Sequence, residues 1–444
     1  MEVNVEKCVK DYQEAPLLNS LKDYSQMDIV CFDVPGHVRA QGVEVLNDYF
    51  GENIMKMDIN SSPLMDNVSN PRTIIKDSQN MLAKAYGADE AFFITNGTTG
   101  AIHIMILSTI NQGDKILIPR NIHKSVINAL ILSGGHPIFI QPEFDNSLGI
   151  SLNVSLNCIK DALYKHKDIK AVFLLNPTYY GACSDIEEIV KLCHSKGVLV
   201  LVDEAHGAHF NFNNDLPISA MNAKADMSAV SIHKTGGALT QASALLVNSK
   251  NIDVNKVQQT INMIQSTSAS YLLMASIDGA RLNLETNGES QLSKALNLSR
   301  YAKCKINKIK GIKIISTEML ENNGVESIDE TKLCINVRGL GLTGFEVYDL
   351  LYKNYKVQVE LGDIYNILAL ISIGTTKSDI DKLIKSLDSI SKSNMSNEKI
   401  KYIDIKQINP IIKLKPRDAF YKNKESVILE ESINRVCGES IMAY

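Results

Sequence analysis

The sequence lacks the features that mark several classes of protein. It has no excess of one charge, with 46 Lys and Arg against 50 Asp and Glu, and so gives no electrostatic reason to expect nucleic acid or a membrane surface as a partner. No apolar run approaches the roughly 18 residues of a membrane span. The first twenty residues carry charges throughout, without the apolar core of a secretory signal. We therefore expect a cytoplasmic protein.

Paired cysteines are missing as well. The 8 Cys lie singly along the chain and form no CxxC pair. In a cytoplasmic chain this scatter favours reduced, mostly structural thiols over a disulfide framework or a zinc site, so we expect no metal.

What the sequence does contain is an alternation of helix-like and strand-like segments from about residue 75 to 250. Four of the apolar runs are EAFFITN (90–96), DKILIPR (114–120), DIKAVFLLNPT (168–178) and GVLVLVDEA (197–205). Continuous apolar strands between helices indicate a mainly parallel sheet covered on both faces, and thus an α/β domain.

The pattern changes near residue 280, where longer helices and the strand-like segments 332–339 and 368–374 predict a smaller α+β domain. We divide the chain into four parts. They are an N-terminal segment (1–75) that contributes to the active site and a dimer, a large cofactor domain (76–284), the small α+β domain (285–395) and a C-terminal tail (396–444).

Three chemically rich positions directly follow predicted strands, at the sheet edge where open parallel sheets bind ligands. The loop 95–100 (TNGTTG) suits a phosphate at a helix start, or serves only as a helix cap. Asp203, followed by two histidines, indicates a metal site, an acid–base pair or a turn cap. Lys234 lies among small and apolar residues and is an imine-forming nucleophile or a surface lysine.

The order of these three positions narrows the alternatives. A phosphate loop, then an acid at a strand end, then a lysine after a later strand is the arrangement that a pyridoxal 5′-phosphate (PLP) site requires. The lysine forms the Schiff base, the carboxylate keeps the pyridine nitrogen protonated, and the helix start receives the phosphate.

With these residues in place, the sequence resembles the Orn/Lys/Arg decarboxylases of the aspartate aminotransferase fold (PLP fold type I), specifically their short bacterial branch. The resemblance covers nearly the whole chain. Its motifs include PGH (35–37), FFITNGTTG (92–100), RNIHKSV (120–126), NPTYYG (176–181), DEAHGAH (203–209), SIHKTGGALTQAS (231–243) and VELGDIYNILALIS (359–372).

The resemblance implies a role for each matching residue. Lys234 would hold the cofactor, Asp203 would pair with its pyridine nitrogen, and His123 would stack on its ring. His233 or the released Lys234 would reprotonate the product. Further cofactor contacts are implied for Thr98, Thr99, Gly100, Ala205, His206, Ser231 and His233.

The family pattern also implies a partner subunit and a substrate site. Ser266 and Thr267 would reach a phosphate across a dimer interface, so we expect a homodimer or a larger even assembly. Glu360 and Asp363 are candidates for binding the distal cation of the substrate, although either could be structural. His37 is assigned to the substrate site.

The resulting hypothesis is decarboxylation of a basic amino acid, arginine ahead of lysine and ornithine, to the amine with release of CO2, in polyamine biosynthesis. Two alternatives stay open. A PLP enzyme with another reaction, such as an aminotransferase or oxidase, would use the altered segments PGHVRA (35–40) and 58–72. A non-catalytic homologue is the other.

Overall fold

The computed structural model describes residues 14–60, 62, 64–316, 324–394, 400 and 411–438. The predicted N-terminal segment, small domain and tail are therefore only partly covered, because 1–13, 61, 63, 317–323, 395–399, 401–410 and 439–444 lie outside the described residues.

The helices are α1 (Pro16–Gln26), α2 (Glu44–Phe50), α3 (Glu52–Met57), α4 (Ile74–Tyr86), α5 (Gly97–Thr109), α6 (Lys124–Ser133), α7 (Leu156–Lys165), α8 (Ile186–His194), α9 (Ile232–Thr235), α10 (Val254–Ile264), α11 (Tyr271–Ile306), α12 (Gly344–Tyr355), α13 (Lys377–Ser393) and α14 (Pro416–Tyr421). Short 3-10 turns lie at Phe210–Phe212, Arg338–Leu340 and Leu429–Ser432.

The strands are β1 (Glu90–Ile94), β2 (Lys115–Pro119), β3 (His136–Ile140), β4 (Phe144–Asp145), β5 (Ile150–Ser151), β6 (Ile169–Leu175), β7 (Ala182–Cys183), β8 (Leu199–Asp203), β9 (Met227–Val230), β10 (Ser243–Val247), β11 (Lys313–Ile314), β12 (Ser327–Ile328), β13 (Lys332–Asn336), β14 (Leu361–Gly362) and β15 (Asn366–Leu370).

Seven strands form the central sheet, in the order β1-β10-β9-β8-β6-β2-β3. The strands β3, β2, β6, β8 and β9 pair in parallel, and only β10 runs against its neighbours β1 and β9. The predicted mainly parallel α/β sheet is thus confirmed. Since β1, β8 and β9 point the same way, the loops that follow them meet at one edge of the sheet.

Apolar residues on both faces hold this sheet between helices. All five residues of β8 are buried, as the continuous apolar run 197–205 predicts. Helix α5 is apolar on nearly every side, and accordingly it is buried between the sheet and helices α6 and α10. The start of α5 is therefore rigidly placed at the sheet edge.

Helix α11 runs without a break for 36 residues from the large domain into the small one. Its buried Asp278 accepts hydrogen bonds from the Leu17 main-chain nitrogen (3.0 Å) and the Ser78 hydroxyl (3.2 Å), and pairs with Arg281 (3.0 Å). This buried polar group joins α1 and α4 to α11. The boundary predicted at 284/285 falls within this helix, so the division stays a prediction.

The small domain has its own antiparallel sheet, in the order β11-β13-β15-β14, packed with α12 and α13. The predicted α+β architecture is confirmed. A separate two-stranded antiparallel sheet joins it to the large domain, because β12 pairs with β7 through Ile328 and Ala182. This pairing brings the start of β13 beside the sheet edge of the large domain.

Among the helices of the described ranges, none combines the length and the apolar character that a bilayer crossing needs.

Candidate active site

Lys234 and Asp203 lie on neighbouring elements at the edge of the central sheet. Asp203 is the last residue of β8 and pairs in register with Ala229 of β9. Lys234 follows β9 on the single turn of α9, which begins at Ile232. The neighbouring parallel strands β8 and β9 therefore bring the two residues to the same edge of the sheet.

The Lys234 amine is largely enclosed and contacts a histidine. Its Nζ lies 2.9 Å from His206 Nε2. Burial lowers the pKa of Lys234, against the opposing charges of Asp203 and Glu360. A lysine with a lowered pKa has more neutral amine available for attack on a carbonyl carbon, which is the property an imine-forming residue needs.

The contact with Lys234 also bears on the state of the His206 ring. When the amine donates to Nε2, a neutral ring carries its hydrogen on Nδ1. Burial, followed by the charge of Lys332, lowers the pKa of His206 well below its ordinary value, so the ring stays neutral. His206 Nδ1 is itself buried and has no hydrogen-bond partner within the described ranges.

Asp203 is a deeply buried carboxylate. Its side chain accepts a hydrogen bond from the Ala205 main-chain nitrogen at 3.1 Å, and only 3% of the residue is exposed. Burial raises the pKa of Asp203, while the charges of Lys234 and His123 oppose that rise. A buried carboxylate is unfavourable unless a cation or a hydrogen-bond donor compensates for its lost hydration.

Three hydroxyl groups meet at the start of α5. Thr98 Oγ1 lies 2.5 Å from Ser231 Oγ and 3.0 Å from Ser243 Oγ. Gly97 opens the helix with a φ of +73°, and a Cβ at Gly100 would lie 2.0 Å from the Asn96 side chain. These glycines let the backbone turn tightly, which leaves hydroxyls and helix-start amides together where an anion binds favourably.

The two other predicted catalytic histidines border this edge. His233 Nδ1 donates to the Ala242 carbonyl at 3.1 Å, which leaves Nε2 as its basic nitrogen. His123 is exposed and caps α6, with Nδ1 at 2.8 Å from the Ser125 hydroxyl. Its charge acts on Asp203, which places the two side chains near one another. Thr99 is exposed and Ala205 is buried in the same region.

The two carboxylates considered for the substrate have different surroundings. Glu360 is exposed, and its Oε1 accepts a hydrogen bond from the Tyr179 hydroxyl at 2.7 Å. Asp363 Oδ2 accepts from the Tyr180 hydroxyl at 2.6 Å, and its Oδ1 accepts from two main-chain nitrogens of its own turn. The Asp363 carboxylate is thus engaged in holding the turn, whereas Glu360 keeps an oxygen available.

Of three further predicted residues, His37 and Ser266 make contacts within their own segments of the chain. His37 Nε2 is 3.3 Å from Asp58 Oδ2 in the N-terminal segment. Ser266 and Thr267 are exposed in the loop between α10 and α11, where the Ser266 hydroxyl accepts from the main-chain nitrogen of Ser268. Their assigned roles need a second subunit or a substrate, and they stay predictions.

Lys332 and Tyr179 are site residues that the sequence reasoning missed. Lys332 is the first residue of β13 and only 3% exposed, and its Nζ donates to the Tyr179 carbonyl at 3.0 Å. Burial lowers the pKa of Lys332 to about 8, with Asp329 opposing and Lys234 reinforcing the shift. Its position in the sequence, directly before the apolar residues LCI, gives no sign of this burial.

The fold is that of decarboxylases and aminotransferases of known structure. A crystal structure of a lysine decarboxylase from Francisella novicida superposes with a TM-score of 0.76 at 21% identity, covering 86% of this chain and 60% of that one. The match also extends to ureidoglycine-glyoxylate aminotransferase from Bacillus subtilis, with a TM-score of 0.57, 15% identity, and coverage of 74% of this chain and 87% of that one.

Sequence comparison identifies the family within this fold. The family described as "Orn/Lys/Arg decarboxylase, major domain" matches residues 15–379. The chain is 41% identical to a protein named arginine decarboxylase from Bacillus subtilis (strain 168), over 97% of this chain and 89% of that one. A protein of the same name from Bacillus cereus is 41% identical, over 97% and 94%. The chain belongs to the Orn/Lys/Arg decarboxylase family.

Proposed function

We propose that this protein is a PLP-dependent decarboxylase that converts a basic amino acid, arginine ahead of lysine and ornithine, into the amine and CO2 for polyamine biosynthesis. The observation that carries the proposal is the enclosed Lys234 amine, with a lowered pKa, at the sheet edge that holds the buried Asp203 carboxylate. The names of the most similar relatives support arginine as the first substrate to test.

The residues at this edge fit pyridoxal 5′-phosphate. The Lys234 amine suits its aldehyde, the desolvated Asp203 carboxylate suits a protonated pyridine nitrogen, and the hydroxyls around Thr98 suit its phosphate. The buried His206 Nδ1, which lacks a partner among the residues described, points to a group that completes the site. Bound there, the cofactor would supply an electron sink for the bond between Cα and the carboxylate of the substrate.

The protein side chains would favour the loss of CO2 and then return a proton to Cα of the product. Asp203 would hold a proton on the cofactor ring and so favour electron withdrawal. His206 would accept a hydrogen bond from the Lys234 amine and keep it directed into the site. His233 Nε2, or Lys234 after its release, would return a proton to Cα, because both carry a titratable nitrogen at this edge.

Glu360 is the group we assign to the distal cation of the substrate. It carries the negative charge at the site mouth, acts electrostatically on Lys234, and keeps an oxygen beyond its hydrogen bond with Tyr179. A guanidinium binds a carboxylate through two parallel hydrogen bonds, which would favour arginine.

We also propose a homodimer or larger even assembly. Large apolar side chains are exposed in the N-terminal segment and beside the 265–270 loop, among them Phe32 at 98%, Tyr49 at 84% and Met263 at 80%. Exposure of this kind is typical of a protein interface, and Ser266 and Thr267 lie next to it. Light scattering tests the assembly, and cell fractionation tests the cytoplasmic location expected from the sequence.

The test of function uses Lys234→Ala beside Lys115→Ala, a distant lysine at the other end of the sheet. Purified protein loaded with PLP is reduced with borohydride and digested, and the modified peptide is identified by mass. We expect the label on Lys234 and CO2 release from arginine, with both absent from Lys234→Ala and retained in Lys115→Ala.

Other outcomes would separate the alternatives. Keto acid or hydrogen peroxide in place of the amine would indicate a different PLP reaction. Failure of the unaltered protein to bind PLP would favour a non-catalytic homologue. A Lys234→Ala protein that still decarboxylates would refute the assigned role of the lysine.

A further inference from the structure

A second buried lysine stands beside the site without a role in the proposed chemistry. Lys332 Nζ is enclosed and donates to the Tyr179 carbonyl at 3.0 Å. The Lys332 side chain also packs against the main chain of Gly181, because a Cβ built there would be 3.1 Å from Lys332 Cδ. Burying an ammonium group is unfavourable unless its surroundings compensate, so the burial of Lys332 is expected to serve a function.

The surroundings of Lys332 are built from both domains. Asp329 is fully buried, and its charge acts on Lys332 while its carboxylate accepts from the Thr331 hydroxyl at 2.6 Å. His209 Nε2 lies 3.3 Å from the same carboxylate. The short turn between β12 and β13 therefore places the buried Asp329 carboxylate against His209 of the large domain, next to the NPTYYG loop.

Tyr179 connects Lys332 with the candidate active site. Its carbonyl accepts from Lys332, and its ring lies edge-on to His206 with centroids 4.6 Å apart. Its hydroxyl donates to Glu360 Oε1 at 2.7 Å. One residue thus touches the lysine of the small domain, the histidine that contacts Lys234, and the proposed substrate carboxylate.

We infer that Lys332 is a positioning residue for substrate binding: it fixes the main chain of Tyr179, and Tyr179 in turn holds Glu360 in the orientation that receives the distal cation. The inference rests on the proposed function. An exposed glutamate loses considerable rotamer freedom when it binds a ligand, and a hydrogen bond made beforehand reduces that loss. Lys332 itself is only 3% exposed, and its Nζ is engaged by the Tyr179 carbonyl.

The test measures binding and turnover separately. The variants are Lys332→Met, Tyr179→Phe and the double variant, with Lys115→Met as control, since Lys115 also donates to a carbonyl, that of Lys167, far from the site. The proteins are loaded with PLP and assayed for KM and kcat with arginine. Calorimetry with agmatine, the amine that arginine decarboxylation yields, gives an affinity that does not depend on turnover.

We expect each single variant to raise KM for arginine and weaken agmatine binding by ~10-fold, with kcat changed by less than ~3-fold, because one charge-assisted hydrogen bond is lost or left unsupported. The double variant should bind little worse than either single one, since both act through Glu360. Lys115→Met should match the unaltered protein.

Several outcomes would overturn the inference. Lys332→Met with unchanged KM and agmatine affinity would do so, as would a fall in kcat alone or fully additive effects in the double variant. If Lys332→Met fails to fold, Lys332→Gln, which keeps a donor without the charge, and Tyr179→Phe carry the same test. An unaltered protein that decarboxylates no amino acid would instead refute the proposed function.

Discussion

Glu204, next to Asp203, should make the stability of the folded protein depend on pH in an unusual direction. It is 1% exposed, and its two oxygens accept from the Ala220 main-chain nitrogen and the Ser228 hydroxyl, each at 2.8 Å. Burial raises the pKa of Glu204 from 4.5 to about 8, and the neighbouring Asp203 charge adds to the rise. The carboxyl group is therefore neutral in the folded state near pH 7.

The sign of the effect follows from this direction. A carboxyl with a raised folded-state pKa contributes stability below its unfolded-state pKa, and this contribution is lost as pH rises through the folded-state value. Since the pKa rises from 4.5 in the unfolded state to about 8 in the folded state, the loss approaches about 5 kcal/mol at ~1.4 kcal/mol per pKa unit. Glutamine at position 204 keeps an acceptor for Ala220 and a donor for Ser228, and it cannot ionise.

The assay compares thermal unfolding of Glu204→Gln and unaltered protein by circular dichroism, since the chain has no Trp. The stability advantage of the variant should grow by about 3 kcal/mol between roughly pH 5.5 and 9, or several degrees in Tm. Glu289→Gln, at an exposed position of α11, is the matched control and should show no such growth. A stability difference between Glu204→Gln and unaltered protein that is equal at both pH values would refute the conclusion that the Glu204 carboxyl is neutral near pH 7.

The site and the helix scaffold give three further expectations. Asp203→Asn should lower kcat by at least ~100-fold, measured as CO2 release, because electron withdrawal loses its charged support. Thr98→Val should raise the PLP dissociation constant by ~10-fold in equilibrium dialysis, because a hydroxyl at the helix start is lost. Asp278→Ala should reduce unfolding stability by about 3 kcal/mol in thermal melts, because it leaves Arg281 buried with only part of its pairing.

Each of these has a contradicting result. Normal turnover in Asp203→Asn would show that the Asp203 carboxylate is not needed for catalysis. Normal PLP affinity in Thr98→Val would show that the phosphate does not bind at the start of α5. An Asp278→Ala protein as stable as Asp215→Ala, at an exposed acid, would mean that the buried group does not join α1 to α11.

The sheet edge and the candidate site residues on it were predictable from sequence, because the end of each strand is marked by a local change from apolar to polar residues. A buried parallel strand needs a continuous apolar run, and Asp203 interrupts such a run at its carboxyl end. Lys234 and the TNGTTG loop follow similar runs. The antiparallel direction of β10 was not predictable, since a fully buried apolar strand has the same composition in either direction.

The finer division of roles depended on contacts between distant parts of the chain. Glu360 and Asp363 are equivalent acids in the sequence. They differ in the structure because Asp363 accepts hydrogen bonds from its own turn, whereas Glu360 accepts one from the Tyr179 hydroxyl. Lys332 resembles any strand-end lysine until the pairing of β12 with β7 encloses it. Such long-range pairings leave no local signal.

The most direct test of the central claim is product analysis by mass spectrometry after PLP-loaded protein is given arginine, lysine and ornithine, separately and in equal mixture. The account predicts agmatine and CO2 in equal amounts, with arginine consumed first from the mixture and no product from Lys234→Ala. Formation of a keto acid, or unchanged amino acids in the presence of bound PLP, would contradict it.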